Sequence, residues 1–430
     1  MKTASVYLYG TRVAAVTWVA ARECAVLEYD ADFLHSGIEV APLMMPLAGR
    51  RYEFPQLPRD AFKGLPGMLA DCLPDRFGNK LIDQWLALQG RRAASFHPVE
   101  RLCYLGSRAM GALEFVPAEG QAESDEAVEI AALVKLANEV LHERKNIRVS
   151  LRKADAMAGI LRVGTSAGGA RAKAVVAWNR ETGELRSGQI DLPPGFSAWL
   201  LKFDGVSANR DKELADPQGF GRIEYAYHLM AVAAGIAMSE CELLEENGRA
   251  HFITRRFDRP EGGGKWHMQS LCALGHYDFN HAGAYSYEQA FQVGRRLALP
   301  QRELEQMYRR AVFNIIARNQ DDHTKNIAFL MDRRGEWSLA PAFDVTYAYN
   351  PDGAWTFQHQ MSLAGKRDGF VRADLVAAAS AADIKKRRAE EILDEVFAAV
   401  KRWKSFAQQA GIATPMIDSI RKALRVGMKP

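Results

Sequence analysis

The segment Asn319-Gln-Asp-Asp-His-Thr-Lys-Asn326 gathers two acids, a histidine, a lysine and several amides into eight residues. Apolar runs flank it, 311–317 before and 327–331 after. Such flanks anchor a segment in a core while its polar tip faces a cleft. Asp321 and Asn326 stand five positions apart, the spacing of the base and the metal-binding amide in the phosphoryl-transfer loop HRDxxxxN. The chemistry asks for such a pair. An acceptor hydroxyl needs a carboxylate to orient it and take its proton, and the transferring phosphate needs a divalent ion held by hard oxygen ligands. An amide oxygen ligates a metal without adding negative charge beside the phosphates. Lys325 would neutralise charge on the phosphate in flight. Of the two adjacent acids only Asp321 lies five before Asn326, so Asp321 is read as the base and Asp322 as a turn or surface residue.

Four further segments fit the same chemistry. Leu339-Ala-Pro-Ala-Phe-Asp344 follows a turn and a short strand; a carboxylate there, shortly after a catalytic loop, is where a second metal ligand belongs. Its local order is FDV and not DFG. Gly164-Thr-Ser-Ala-Gly-Gly-Ala-Arg-Ala-Lys173 is a small-residue loop whose backbone N–H groups could cradle phosphates, although it is neither GxxxxGK[ST] nor GxGxxG. Lys202 lies within the apolar run Trp199-Leu-Leu-Lys-Phe. An ammonium there is expensive to bury alone, and phosphate oxygens plus a helix carboxylate such as Glu224 would stabilise it. Phe252-Ile-Thr-Arg-Arg-Phe-Asp-Arg259 reads as a short strand ending in charge, whose backbone could meet an adenine edge and whose Asp258 could meet a ribose.

The elements that must position these residues follow from the patterning. Runs 4–9, 13–19 and 25–29 alternate as strands of an antiparallel sheet. Residues 76–88 have helical periodicity, and the turn 106–111 precedes a strand at 112–116. Residues 117–126 are the best linker candidate, followed by a helix over 126–144. Runs 174–178, 185–190 and 198–203 read as strands, and 223–234, 287–297, 302–317 and 388–408 as helices. A β-rich unit, a second β-rich layer and a large helical region make an α+β protein and not alternating βαβ units.

Bulk properties exclude several classes. The 430 residues carry a formal charge of +4, with 48% hydrophobic and 25% charged residues, an ordinary globular balance. No run approaches a membrane span, and the N-terminus lacks the layout of a secretory signal; a cytoplasmic protein is expected. Five widely spaced cysteines without CxxC point to buried free thiols. The basic run 385–388 is followed at once by Glu390 and Glu391, a solvated helix face. HExxH and HxH are absent, which removes a zinc-hydrolase reading.

Taken together these residues resemble the HipA family of serine/threonine kinase toxins from bacterial toxin–antitoxin modules. The resemblance spans nearly the whole chain. Leu65-Pro-Gly-Met-Leu-Ala-Asp-Cys-Leu-Pro-Asp75, Tyr104-Leu-Gly106 and Met110-Gly-Ala-Leu-Glu-Phe115 look like the family's N-terminal subdomain. The kinase part carries SxGGARxK as Ser166-Ala167-Gly168-Gly169-Ala170-Arg171-Ala172-Lys173, the strand lysine Lys202, the RFDR hinge 256–259, the NxDxHxKN loop and the PxxD segment.

The resemblance implies a two-lobed protein-kinase-like fold, with a β-rich N-terminal subdomain over 1–120, an N-lobe-like region with phosphate loop and hinge over 121–260, and an all-α C-terminal lobe over 261–430. It implies ATP and Mg2+ as cofactors, Asp321 as catalytic base, and Asn326 and Asp344 as magnesium ligands. Residues 166–171, Lys173, Lys202, Arg255, Phe257, Asp258, His323 and Lys325 would contact ATP. Ser166 matches the serine that such kinases autophosphorylate to eject the phosphate loop, although Thr165 adjoins it. A phosphate there adds about two negative charges where those of ATP must sit. Ala172 stands where many relatives have proline or glutamate. Family members phosphorylate aminoacyl-tRNA synthetases, stall translation and pair with a small helix-turn-helix antitoxin, HipB-like, through which alone DNA would be met. Two other readings use the same residues: an idle relative acting as antitoxin-bound corepressor, which would not arrest growth on expression, and a small-molecule phosphotransferase.

Overall fold

Alternation of buried and more exposed residues builds the first sheet. The computed structural model describes residues 3–74, 76–119, 129–142, 172–188, 192–206, 210–211, 214–215 and 219–428. In β1 (Thr3–Leu8), Ala4, Val6 and Leu8 are buried and the residues between them are not, the two-residue period of a half-covered strand. With β2 (Thr11–Val19), β3 (Cys24–Tyr29), β4 (Arg51–Glu53) and β5 (Leu113–Val116) it forms an antiparallel sheet of order β4-β3-β2-β1-β5. The expected N-terminal strands are present with their ends moved by up to two residues.

The second sheet has the order β11-β12-β8-β6-β7. It comprises β6 (Lys173–Trp178), β7 (Leu185–Ser187), β8 (Ser197–Lys202), β11 (Cys241–Glu246) and β12 (Arg249–Arg255); β9 (Arg210–Asp211) and β10 (Leu214–Ala215) make a separate ladder. All six residues of β6 are buried, as in a strand covered on both faces. Trp178 and Trp199 meet edge-on with ring centroids 5.1 Å apart. They share a core with Phe77, Leu81 and Trp85 of the helix Arg76–Leu88 and with Leu133 and Val134 of the helix Ile130–His142. Each large side chain buried this way stabilises by about 1.5–3 kcal/mol.

The chain divides into two compact units: residues 1–218, 242–268 and 331–335 form the first, and 219–241, 269–330 and 336–430 the second. The second is mainly helical, with the helices Phe220–Ala233, Tyr287–Arg296, Gln301–Ile316, Arg372–Ala378, Lys386–Lys401, Trp403–Gln409 and Thr414–Ala423. The strands β13 (His267–Ser270), β14 (Ala328–Met331) and β15 (Trp337–Leu339) add a sheet of that order. Ser286 and Gln289 close a reciprocal capping box at the start of Tyr287–Arg296, which satisfies two N-terminal donors.

One helical expectation is corrected. The periodic stretch 388–408 is two helices, broken at Arg402. No glycine or proline marks the break. Tertiary packing makes it: Trp403 is buried, its indole N–H donates to the Ile417 carbonyl at 3.0 Å, and its ring lies 5.4 Å from that of Tyr227. The basic run is a solvated face as expected, with Lys386–Glu390 and Arg387–Glu391 pairs one turn apart. All five cysteines are buried free thiols. Among the described residues no helix is long and apolar enough to cross a membrane.

Candidate active site

The helix Gln301–Ile316 carries the polar loop out of the core of the second unit. Arg318 adopts a left-handed φ of 58° and ends the helical path. The loop then runs through Asp321 to a 3-10 turn, Thr324–Asn326, and into the fully buried β14. The following segment folds back beside it: Gln320 N donates to Ala348 O at 3.1 Å, and Ala348 N donates to Arg318 O at 3.1 Å. The 339–344 stretch is fixed from the helix side. Glu303 accepts from Leu339 N at 2.7 Å, and Arg310 Nη2 donates to Ala340 O at 2.8 Å. Burial pushes the Arg310 guanidinium down to about 9.

Asp321 keeps its side chain 26% exposed. Its Oδ1 accepts from Trp355 Nε1 at 2.6 Å. Its backbone carbonyl accepts from Asn326 Nδ2 at 2.8 Å, so the Asn326 amide spends its nitrogen on the loop and keeps Oδ1 as its acceptor atom. His323 Nε2 lies 4.0 Å from Asp321 Oδ1, and its ring is tilted against Phe279 at 5.5 Å. Lys325 Nζ sits 5.3 Å from the Phe279 ring centre.

Asn326, His323 and Asp344 line one cavity of ≈ 30 Å³ with Asp322 and Phe343. Ile236, Phe291, Met307 and Phe313 close its apolar back. Asp344 has φ +51°, a conformation that costs a non-glycine residue roughly 1 kcal/mol and that collects at functional sites. Among the described residues no three His, Cys, Asp and Glu side chains converge as an all-protein metal site. The oxygen donors on this cavity include the Asn326 amide and the Asp344 carboxylate. That set suits Mg2+, which keeps waters and substrate phosphates as its remaining ligands.

Asp322 is a correction. It is not a turn or surface residue but a buried hub, 3% exposed. Its carboxylate accepts from Tyr287 Oη at 2.7 Å, His359 Nδ1 at 2.8 Å and Gln360 N at 2.7 Å. Burial alone would raise its pKa; His359, Tyr287 and the Gln360 N–H outweigh burial and leave it below the ordinary value. His359 Nε2 faces Arg425 Nη1 at 2.8 Å, and Arg425 also donates to Ile315 O at 2.7 Å and pairs with Asp368. Sequence reasoning missed Tyr287, Trp355, His359, Gln360 and Arg425. Their only local signal is a run of aromatic and amide residues in Trp355-Thr-Phe-Gln-His-Gln360.

Lys173, Lys202, Arg255, Phe257 and Asp258 lie in the first unit. Lys173 and Lys202 are 2% and 9% exposed and stand opposite each other in the β6–β8 ladder. Asp258, expected at a ribose, is fully buried. Its oxygens accept from Arg256, Arg259 and the Gly111 N–H at 2.7–2.9 Å. Burial opposes the charge, but the two guanidiniums hold the carboxyl far below its usual range. The carboxylate instead pins the 109–111 turn. Arg255 pairs with Glu261 at 2.7 Å, and Phe257 is partly buried. Residues 166–171 lie outside the described residues. Glu224 is buried on Phe220–Ala233 in the second unit.

A β-rich first unit and a mainly helical second unit, with a carboxylate and amide on one loop and a second carboxylate after a short strand, define a protein-kinase-like fold. The chain belongs to the HipA family: residues 4–116 match the HipA N-terminal domain and residues 165–403 the HipA-like C-terminal domain. A Sinorhizobium fredii protein named "Putative kinase Y4mE" is 24% identical over 371 residues, 81% of this chain and 74% of that one. The Shewanella oneidensis HipA, solved with HipB and operator DNA, shares the fold with a TM-score of 0.64 and 16% identity over 97% of this chain and 99% of its own.

Proposed function

We propose that this chain is an ATP- and Mg2+-dependent serine/threonine-protein kinase toxin. The observation that carries the reading is the convergence of Asn326 and Asp344 on one cavity, with Asn326 tied to the backbone of Asp321 five residues earlier. Mg2+, when bound, supplies positive charge that offsets the charge developing on the transferred phosphoryl group. Asn326 Oδ1 and the Asp344 carboxylate are its ligands. Asp321 orients the acceptor hydroxyl and takes its proton. His323 and Lys325 flank the phosphates.

Lys173 and Lys202 are proposed to bind ATP phosphates. They are register partners in the β6–β8 ladder, so both ammonium groups can reach one anion. Arg255 and Phe257 are proposed at the adenine side. Residues 166–171 are proposed as the phosphate loop, with Ser166 as the self-silencing site. The acceptor is proposed to be a translation component, an aminoacyl-tRNA synthetase, in the cytoplasm. A HipB-like antitoxin is the proposed partner, by analogy with the Shewanella complex, with DNA met only through it.

The test is transfer from γ-labelled ATP by the purified chain, with Asp321→Ala as control. The base assignment predicts a loss of about 10²–10⁴-fold in transfer. An alanine variant that labels itself or dephosphorylated casein as fast as the parent removes Asp321 from that role. Phosphoproteomics after brief induction, with the same variant as control, identifies the target.

A further inference from the structure

We propose that Trp355 is a positioning residue for Asp321, and that the 355–360 segment exists to hold its indole N–H on the carboxylate. The proposal rests on the reading of Asp321 as the base. Trp355 Nε1 lies 2.6 Å from Asp321 Oδ1 across a sequence separation of 34 residues. An indole nitrogen can only donate, so the contact is a charge-assisted hydrogen bond with one possible direction. It fixes the rotation of the carboxylate and assigns the proton-accepting work to Oδ2.

The mount is built from two buried amides. Gln320 is 0% and Gln360 3% exposed. Gln360 Nε2 lies 2.6 Å from Trp355 O, 3.1 Å from Gln358 O and 3.2 Å from Gln320 O. Gln320 Nε2 donates to Thr356 O at 3.1 Å. The backbone on both sides of the Trp355–Thr356 peptide is therefore tied to the loop that carries Asp321. Gln360 N also donates to Asp322 Oδ1 at 2.7 Å, so the same residue braces the neighbouring acid. Buried amide N–H groups are costly unless paired, and here both Nε2 groups donate to the tryptophan segment. An indole placed only to fill space would not need its carbonyl gripped.

Two measurements on the full chain test this. The first is labelled-phosphate transfer to dephosphorylated casein at saturating Mg-ATP, with binding of a fluorescent ATP analogue in parallel, for the parent, Trp355→Phe and Asp321→Ala. Trp355→Phe keeps the aromatic bulk and removes the N–H. Its maximal rate should fall by about tenfold with nucleotide affinity unchanged. A rate within twofold of the parent overturns the positioning role while leaving the base reading intact. An Asp321→Ala variant as active as the parent overturns the base reading and the positioning role with it.

The second measurement reads the contact without turnover and covers a poorly folding Trp355→Phe. In spectra of 15N-indole-labelled protein, the Trp355 N–H resonance, assigned in Trp355→Phe or by Trp355→His, should move in Asp321→Ala while the other indole signals stay. A Trp355 resonance that does not respond to loss of the carboxylate overturns the inference.

Discussion

His359 Nδ1 lies 2.8 Å from Asp322 Oδ2, with the two side chains 0% and 1% exposed. The other ring nitrogen faces Arg425 Nη1 at 2.8 Å. A guanidinium has no acceptor, so Nε2 offers its lone pair and Nδ1 carries the hydrogen donated to Asp322. The tautomer is set from both sides. His359→Ala leaves a buried carboxylate short of a donor and should cost about 2–4 kcal/mol. His359→Asn, which keeps a short N–H donor, should cost less. Denaturant midpoints of the two variants check the order.

Asp322 makes that stability depend on pH. Its folded pKa lies below the unfolded value: burial pushes it up, but His359, Tyr287 and the Gln360 N–H outweigh burial. A depressed carboxyl contributes stability that is complete above the unfolded pKa, about 3.9, and lost as pH falls through the folded one. Asp322→Asn should therefore be clearly less stable than the parent at pH 7, with the gap narrowing below about pH 4. Equilibrium unfolding of both proteins across that range measures it.

Asp344 separates fold from chemistry. At φ +51° asparagine is tolerated, whereas a β-branched residue is strained. Asp344→Asn should keep the parent melting temperature and, on the proposed role as a magnesium ligand, lose at least about 10²-fold in phosphate transfer through the lost negative charge. Asp344→Val should lose the same activity and a further 1–2 kcal/mol or so of stability.

The Lys173–Lys202 pair makes a prediction about nucleotide binding. Lys173 and Lys202 are register partners in the β6–β8 ladder, and removing one ammonium should weaken anion binding there. Lys202→Met should weaken binding of a fluorescent ATP analogue by about tenfold or more. Calorimetry with nucleotide measures the loss.

The parts of the site that were legible in the sequence are those whose partners are local. Asp321 and Asn326 interact within one turn, and the Asn326 Nδ2 to Asp321 O bond is the physical form of their spacing. Strands with alternating burial were equally plain, because the period of a half-covered strand is written in consecutive residues. Asp322 was not legible. Its partners come from positions 287, 359 and 360, and nothing in Asp321-Asp322 distinguishes a buried hub from a solvated turn. Trp355 was missed for the same reason, as was the break at Arg402, which follows from where the Trp403 indole finds an acceptor. Asp258 shows the converse: its place at the end of a charged strand suggested a ribose contact, and its carboxylate is held by Arg256 and Arg259.

Arg425 gives the site a dependence on the order of synthesis. Every motif residue from Asp321 to Asp344 precedes it by 80 residues or more, yet the guanidinium on His359 and Asp368 comes from position 425. A growing chain that has exposed residues 319–344 still lacks the clamp on His359, and through it a settled Asp322. The brace on the loop is therefore completed only when residue 425 is in place, so a chain cut before Arg425 should unfold at lower denaturant than the parent.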